Sequence, residues 1–257
     1  MKLALYSDLH IEFSRTPWAP PELDVDAIIL AGDIGLHTKG MAWAQDVLCQ
    51  RQSAPKIIYV AGNHEYYRSH LGLLDELQDP KWQQAGISFL ERETLTLPSV
   101  RILGCTLWSG FTLYPERTDV AMVTAQRSIN DYRLIRTQGG EKLGPRDTQH
   151  IYLQSITWLE TELAKPFNGK TVVVTHFAPH PACVAPEYAD SLLSPYFVSD
   201  CSDLMRKHQV DVWCFGHTHY NCDFIAEGGC RVLSNQRGYP HEVQEGNRFR
   251  EALVFDV

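Results

Sequence analysis

Five short, mostly apolar runs in this chain each stop at a polar or glycine-containing segment, and this pattern constrains the fold most strongly. Because the runs are short and do not alternate with polar residues, they predict strands buried on both faces. Helical patterns lie between them, and alternation of strand and helix favours an α/β architecture. The predicted strands cover residues 3–6, 27–31, 57–61, 171–174 and 210–215, and the predicted helices cover 41–51, 71–84, 148–164 and 203–208.

Two further regions, residues 87–108 and 222–257, have β-rich composition and predict a second sheet or mixed sheet edges. Residues 111–145 and 177–200 carry Pro, Gly, aromatic and charged residues without a clean period. They are candidate lids or substrate loops. With 257 residues, the chain is long enough for one α/β domain with a substantial core, so we expect a single domain over residues 1–257.

The formal net charge of −8 and the sequence pI near 5.7 argue against a broad surface for binding polyanions. Long nucleic acid is therefore a disfavoured partner. A small phosphorylated substrate remains compatible with this charge, because bound divalent cations would supply positive charge that the Lys and Arg count does not include.

The seven cysteines form an odd set without a CxxC pair, which favours reduced thiols over a thiolate zinc site or a disulfide framework. The start of the chain lacks the pattern of a signal peptide, and no apolar run approaches the length of a membrane span. We therefore expect a cytoplasmic protein that does not bind a membrane.

Metal-binding residue types follow each of the five predicted strands. Carboxylate, imidazole and amide side chains are all metal ligands, and the carboxyl ends of strands in open α/β sheets are where ligands gather. Asp8 and His10, two residues apart, would share one side if the chain stays extended. One such segment is weak evidence, but five in one chain predict a metal site. The segments contain Asp8 and His10, Asp33 after Gly32, Asn63 and His64 after Gly62, His176, and His217 and His219 after Gly216.

In order, the motifs DLH, GD, GNHE, a single His after a strand, and GHTH resemble those of the calcineurin-like metallophosphoesterase superfamily. They extend from Asp8 to His219, over most of the chain. The resemblance implies an α/β fold of two stacked mixed β-sheets flanked by helices, a four-layer αββα sandwich with a dinuclear metal site at one end.

By motif position, the resemblance implies two four-ligand sets that share Asp33. The first metal would be held by Asp8, His10, Asp33 and His219, and the second by Asp33, Asn63, His176 and His217. Mn, Fe and Zn all suit this mixture of ligands, so the sequence leaves the identity of the two divalent ions open.

The resemblance further implies that hydroxide activated by the two metals attacks the phosphorus. His64 is not a ligand in the motif, and we expect it to act as general acid on the leaving oxygen. In the protein Ser/Thr phosphatase branch of this superfamily, the second motif reads GDxxDRG. This chain instead has Gly32-Asp33-Ile34-Gly35-Leu36 at the same place. The second Asp, which there orients the catalytic His, is absent. Glu65 or a backbone carbonyl could replace it as the partner of His64.

Five cationic or histidine side chains outside the motifs are candidate phosphate contacts, although surface solvation is the default for each. They are Arg127, Arg133, Arg136, Arg237 and His180.

These observations predict a metal-dependent hydrolase of phosphate esters. We favour a phosphodiesterase for a small or nucleotide-like substrate, because no clustered Arg motif accompanies the ligands. A phosphomonoesterase would carry the same motifs. A non-catalytic scaffold with this fold would show erosion of the ligands, whereas all seven ligand positions and His64 carry suitable residues.

Overall fold

A computed structural model describes residues 1–13, 18–50, 54–242 and 248–257. These residues form eleven strands in two sheets. The strands are β1 (Lys2–Tyr6), β2 (Ala27–Ala31), β3 (Lys56–Val60), β4 (Ile87–Phe89), β5 (Glu93–Thr96), β6 (Val100–Cys105), β7 (Lys170–Thr175), β8 (Val212–Phe215), β9 (Asp223–Ile225), β10 (Arg231–Ser234) and β11 (Val254–Asp256).

Both sheets are mixed, with a parallel centre and at least one antiparallel edge strand. The first has the order β11-β1-β2-β3-β4, in which only β11 is antiparallel to its neighbour. The second has the order β5-β6-β7-β8-β10-β9, in which the edge strands β5 and β9 are antiparallel. All five predicted strands are present, as β1, β2, β3, β7 and β8, and the predicted α/β fold of two stacked mixed sheets is confirmed.

Alternate residues of the central strands enter two different cores. Ile29 of β2 and Val172 of β7 belong to the core between the sheets, whereas their neighbours Leu30 and Val173 pack in the cores beneath the helices. Because both faces of each sheet are covered, the central strands need apolar side chains at every position. This explains the runs without alternation that mark these strands in the sequence.

The longest helix of the described residues, α6, extends over Pro145–Leu163 and has the favourable pair of Gly144 before it and Pro145 at its first position. The Asp147 side chain accepts a hydrogen bond from the Gly144 backbone N at 2.8 Å. The α-helices are α1 (Lys39–Val47), α2 (Leu74–Leu77), α3 (Pro80–Gln84), α4 (Thr118–Ser128), α5 (Asp131–Leu134), α6 (Pro145–Leu163), α7 (Ser194–Phe197) and α8 (Ser202–Lys207).

The four predicted helical regions are helical, but one of them is divided. The prediction of one helix over 71–84 was wrong, because this region holds a 3₁₀ turn, α2 and then α3. Pro80 begins α3, and Asp79 caps it by accepting from the Lys81 backbone N at 2.9 Å. A proline at this position cannot continue a preceding helix. The predicted end of the first helix, Arg51, lies outside the described residues.

The two irregular segments hold short helices that the sequence analysis did not predict. Helices α4 and α5 lie within residues 111–145, and α7 lies within 177–200. In α4, Val120 and Val123 are 55% and 51% exposed, so its apolar residues do not all lie on the buried face. A helix of this kind has little helical periodicity in its sequence.

The two β-rich regions hold the remaining strands, with β4, β5 and β6 in 87–108 and β9, β10 and β11 in 222–257. Within the second region, residues 243–247 are outside the described part of the chain. No helix of the described residues is both long and apolar enough to cross a membrane.

Candidate metal centre

The side chains that we expect to bind metal lie in turns that follow the strands. Five of these residues adopt left-handed backbone conformations, which non-glycine residues rarely occupy. The expectation that an extended chain places Asp8 and His10 on one side was therefore wrong, because turns bring their side chains together. The five residues and their φ values are Asp8 (53°), His10 (46°), Asp33 (53°), His217 (75°) and His219 (53°).

Asp8, His10 and His219 form one group whose potential ligand atoms lie within 4.8 Å of one another. The Nε2 atoms of His10 and His219 are 3.1 Å apart. Asp8 Oδ1 is 3.4 Å from His219 Nε2. These are the residues expected at the first metal, apart from the shared Asp33.

Asp33, His176 and His217 form a second group within the same limit of 4.8 Å. His176 Nε2 is 3.4 Å from Asp33 Oδ1 and 3.0 Å from Asn63 Oδ1. All four residues expected at the second metal are thus brought together.

Asp33 lies between the two groups. Its Oδ1 faces His176, whereas its Oδ2 is 4.0 Å from His10 Nε2 and 4.0 Å from His64 Nε2. One carboxylate with its oxygens directed to opposite groups can bridge two cations. A third possible group, formed by His10, Asp33 and His64, overlaps both of the others.

The chemistry of the residues fits bound cations. His217 is buried, and its Nε2 has no hydrogen-bond partner among the described residues. Leaving a buried polar nitrogen without a partner is unfavourable, and a cation at this position would satisfy it. The unpartnered Nε2 of His217 therefore indicates a cation site at the second group.

The buried carboxylates raise the pKa of two neighbouring histidines. Burial lowers the pKa of His176, but the charge and hydrogen bond of Asp33 together with the charge of Asp8 outweigh it and raise the pKa to about 9. Burial likewise opposes protonation of His219, yet hydrogen bonds to Asp8 and Glu242 raise its pKa to about 10. Divalent cations bound here would take the place of protons on these imidazoles, because a histidine that binds metal must be neutral.

Two of the candidate ligand histidines are oriented by a hydrogen bond from Nδ1. His176 Nδ1 donates to the Ala31 carbonyl oxygen at 2.9 Å, and His219 Nδ1 donates to Glu242 Oε2 at 2.6 Å. These bonds leave each Nε2 facing the site, an arrangement typical of metal-binding histidines. The sequence analysis did not identify Glu242, which lies outside every motif.

His64 lies at the edge of both groups. Its Nδ1 is 3.0 Å from Glu12 Oε1, and its Nε2 is 3.0 Å from the Tyr239 hydroxyl. Its ring stacks on Tyr67, with centroids 4.1 Å apart. Burial lowers the pKa of His64, but the charge of Asp33 and the hydrogen bond to Glu12 together raise it.

Glu65, which we considered as the partner of His64, has a different role. Its carboxylate accepts from the backbone N of Asp33 at 3.0 Å, the backbone N of Gly62 at 2.7 Å and the Tyr59 hydroxyl at 2.8 Å. It therefore joins the loops after β2 and β3. Both alternatives for the partner were wrong, because Glu12 occupies the position.

Asp131 is a further residue that the sequence analysis missed. It begins α5 and accepts hydrogen bonds from Asn63 Nδ2 at 2.9 Å, from the Tyr67 hydroxyl at 2.9 Å and from the Tyr196 hydroxyl. These bonds fix the Asn63 amide so that its oxygen faces His176. Asp131 lies in an irregular segment, and no motif or spacing distinguished it.

The two candidate metal-binding groups open into a cavity of about 440 Å³. Asp33, Asn63, His64, His217 and His219 form its floor. Most of the remaining lining residues lie within 128–131 and 183–198, which belong to the two irregular segments. Several of these wall residues are apolar, namely Ile129, Val184, Leu193 and Phe197.

None of the candidate phosphate contacts from the sequence lines this cavity. Arg133 and Arg136 are exposed and donate to the backbone oxygens of Arg127 and Gly140. His180 bonds Glu227 at 3.0 Å, and Arg237 lies over the Trp18 ring. Among the described residues, no Lys or Arg borders the cavity.

Comparison with known proteins agrees with this geometry. Residues 1–221 match the profile of the calcineurin-like phosphoesterase family. An uncharacterized protein, L509, of Acanthamoeba polyphaga mimivirus is 30% identical over 218 residues, which cover 79% of this chain and 74% of that protein.

Two solved structures share the fold. The phosphopantetheinyl hydrolase PptH of Mycobacterium tuberculosis has a TM-score of 0.68 and 22% identity, covering 93% of this chain and 90% of its own. A dimetal phosphatase of Danio rerio has a TM-score of 0.54 and 14% identity, covering 93% and 87%. The family match spans most of the chain and includes every motif of the metal centre. The chain therefore belongs to the calcineurin-like phosphoesterase family.

Proposed function

We propose that this protein hydrolyses phosphodiesters of small, nucleotide-like size with two divalent metal ions. Asp8, His10, Asp33 and His219 would hold the first ion, and Asp33, Asn63, His176 and His217 would hold the second. Family membership and the two His/Asp groups support a metal-dependent hydrolase of phosphate esters. The preference for diesters needs a separate argument.

The charge of the cavity supports a preference for diesters over monoesters. A phosphomonoester carries up to two negative charges at neutral pH, whereas a phosphodiester carries one. Enzymes commonly balance the extra charge with Arg or Lys, and no such residue borders the cavity among the described residues. The apolar wall would accommodate the second organic group of a diester.

The residues of this chain would divide the chemistry between them. Bound cations would supply positive charge for the phosphate and a nucleophile at neutral pH. His64, with Nδ1 bonded to Glu12, would donate a proton from Nε2 to the leaving oxygen. Asp131 would keep the Asn63 oxygen directed at the metal site. Segments 111–145 and 177–200 would act as substrate loops, since both contribute cavity walls.

A phosphomonoesterase is the alternative that the same metal centre permits, because its ligands do not distinguish the two esters. The experiment compares the protein reconstituted with Mn, Fe or Zn on bis(p-nitrophenyl) phosphate and p-nitrophenyl phosphate. We expect kcat/KM to be at least about tenfold higher for the diester, a difference of about 1.4 kcal/mol in activation free energy. The metal that supports most turnover would identify the preferred ion.

The natural substrate would then be sought among cyclic and linear nucleotides. Phosphopantetheinyl esters would be included, because PptH, which shares the fold, is a phosphopantetheinyl hydrolase. Asp33→Asn is the matched inactive control. A higher kcat/KM for the monoester would contradict the diester proposal. Failure to hydrolyse any ester with both metals bound would support the non-catalytic scaffold. We further propose a cytoplasmic location, supported by seven free cysteines, six of which are buried.

A further inference from the structure

Glu12 is a carboxylate inside the site that the metal-binding motifs do not include. Its side chain is 10% exposed. Its Oε1 lies 3.0 Å from His64 Nδ1 and 3.5 Å from His10 Nδ1. An ionised carboxylate only accepts hydrogen bonds, so His64 must carry a proton on Nδ1 to make this contact.

No other acidic side chain of the described residues near His64 can make the same contact. Asp33 Oδ2 is 4.0 Å away and faces the other ring nitrogen, Nε2. Glu65 accepts from backbone N–H groups and from Tyr59. Asp131 accepts from Asn63 and from two tyrosines. Glu12 is therefore the partner of Nδ1.

Backbone hydrogen bonds to the loop after β2 hold the segment that carries Glu12 in place. Glu12 lies in a 3₁₀ turn, Ile11–Phe13, which directly follows His10. His10 N donates to the Asp33 oxygen at 3.0 Å, and Ile11 N donates to the Ile34 oxygen at 3.0 Å. The first motif is thus bonded to the loop in which the phosphatase branch carries its second Asp. The loop after β2 has no second Asp in this chain. Glu12, from the loop after β1, supplies a carboxylate to His64 instead.

We propose that Glu12 is the positioning residue of His64, holding the ring through Nδ1 so that Nε2 faces the leaving oxygen. This role rests on the proposed function, because it requires His64 to act as general acid. The stack on Tyr67 fixes the plane of the ring, and the Glu12 bond fixes its rotation within that plane. Orientation of an imidazole by a carboxylate on its other nitrogen is a general device of acid and base catalysis.

The kinetic test compares Glu12→Ala and Glu12→Gln on phosphodiesters with phenol and p-nitrophenol as leaving groups. For the phenyl ester, we expect Glu12→Ala to lower kcat on the order of 10²-fold with little change in KM. The loss should be smaller for p-nitrophenolate, which leaves without a proton. Glu12→Gln should recover part of the activity, because its amide oxygen can still accept from Nδ1. Glu22→Gln, an exposed change, is the matched control.

Metal content and a double variant separate positioning from damage to His10. All Glu12 variants should retain two metals per chain. His64→Ala combined with Glu12→Ala should be no slower than His64→Ala alone, because Glu12 acts through His64. Loss of a metal, equal loss for both leaving groups, or additive losses in the double variant would overturn the proposal.

A spectroscopic readout does not depend on activity. In the zinc-loaded protein, the Nδ1 proton of His64 should give a downfield NMR resonance, assigned by its absence in His64→Ala. This resonance should be lost in Glu12→Ala, and its persistence there would overturn the proposal. If the unmodified protein hydrolysed no ester, the proposed function would fail, and this spectrum would still decide whether Glu12 positions His64.

Discussion

Several candidate metal ligands occupy unfavourable backbone conformations, and this is the main feature of the site at the scale of single residues. Asp8, Asp33 and His217 are left-handed, although Gly would adopt this conformation without strain. Each such residue costs about 1–3 kcal/mol. The chain retains side chains there, and local bonds hold them, as when His217 N donates to both Asp8 oxygens at 3.0 and 3.1 Å.

The first prediction separates the role of His64 from metal binding. His64→Ala should retain two metals and lower turnover by roughly 10²–10⁴ for phosphodiesters with poor leaving groups. Loss of the proton donor matters less for p-nitrophenolate, so the reduction should be smaller there. Steady-state kinetics on both esters, with elemental analysis of the same samples, measures the difference.

The matched control is His217→Ala, which should reduce turnover of both esters because it removes a ligand nitrogen from the second group. A role for His64 as a metal ligand would show itself differently. Its replacement would then lower the metal content and slow both esters by a similar factor.

Gly62 gives the second prediction, because a Cβ atom there would lie 2.1 Å from Asp33 Oδ1 and 2.7 Å from His176 Cε1. Neither group can move without disturbing the second metal site. Gly62→Ala should destabilise the fold by about 1–3 kcal/mol and weaken metal binding. Gly139→Ala, where the nearest atom is 3.8 Å from the added Cβ, should change neither property.

Chemical denaturation and metal titration measure these two effects. Full metal affinity in Gly62→Ala would show that the loops after β2 and β3 can separate without loss of the site.

At the scale of elements, the site depends on two neighbouring loops that one buried side chain joins. Glu65 accepts from the loop after β2, from Gly62 after β3 and from Tyr59 of β3 itself. Glu65→Gln would keep the shape but direct an NH₂ donor at these N–H and O–H donors. A buried donor without an acceptor costs about 1–3 kcal/mol.

Glu65→Gln should therefore lower the free energy of unfolding by about this amount and reduce metal occupancy. Equilibrium unfolding in urea measures the first effect, and metal analysis after dialysis measures the second. Exposed Glu141→Gln is the control for the loss of one negative charge. If Glu65→Gln unfolded at the same urea concentration as the unmodified protein, the hydrogen bonds of Glu65 to the two loops would contribute little to stability.

The elements that the sequence predicted are those whose signals are local. Both faces of β2 and β7 are buried, so their runs are continuous, and Gly32 and Gly62 mark where strands end. Helices α4, α5 and α7 were missed because they are short or partly exposed on their apolar side.

The same distinction applies to the residues of the site. The motif residues were predicted because five segments carry metal-binding side chains at equivalent positions. Glu12, Asp131 and Glu242 were missed, since each acts by a contact with a residue distant in sequence: Glu12 bonds His64, Asp131 bonds Asn63, and Glu242 bonds His219. No spacing within one segment predicts such a contact.

At the scale of the whole molecule, the two sheets bring the site together. Asp8, Asp33 and Asn63 follow strands of the first sheet, whereas His176 and His217 follow strands of the second. The group of Asp8, His10 and His219 contains residues from both sheets, and so does the group of Asp33, His176 and His217. Bound cations should therefore stabilise the packing of one sheet on the other as well as the loops.

The last prediction tests this connection. The protein should bind two divalent ions per chain, and binding should raise the melting temperature, because ligands that bind only the native state stabilise it by about 2.7 kcal/mol at a concentration 100 times Kd. Asp33→Asn should weaken both sites, since Asp33 faces both groups and its negative charge would be shared by two cations.

His219→Ala, which belongs to the first group alone, should weaken chiefly one site and lose about half of the bound metal. Elemental analysis and thermal melts of the three proteins at matched metal concentrations measure both effects. Saturation of the unmodified protein at one ion would contradict the two-metal assignment. So would an Asp33→Asn variant that still bound two ions with unchanged affinity, because the shared carboxylate would then have no part in holding them.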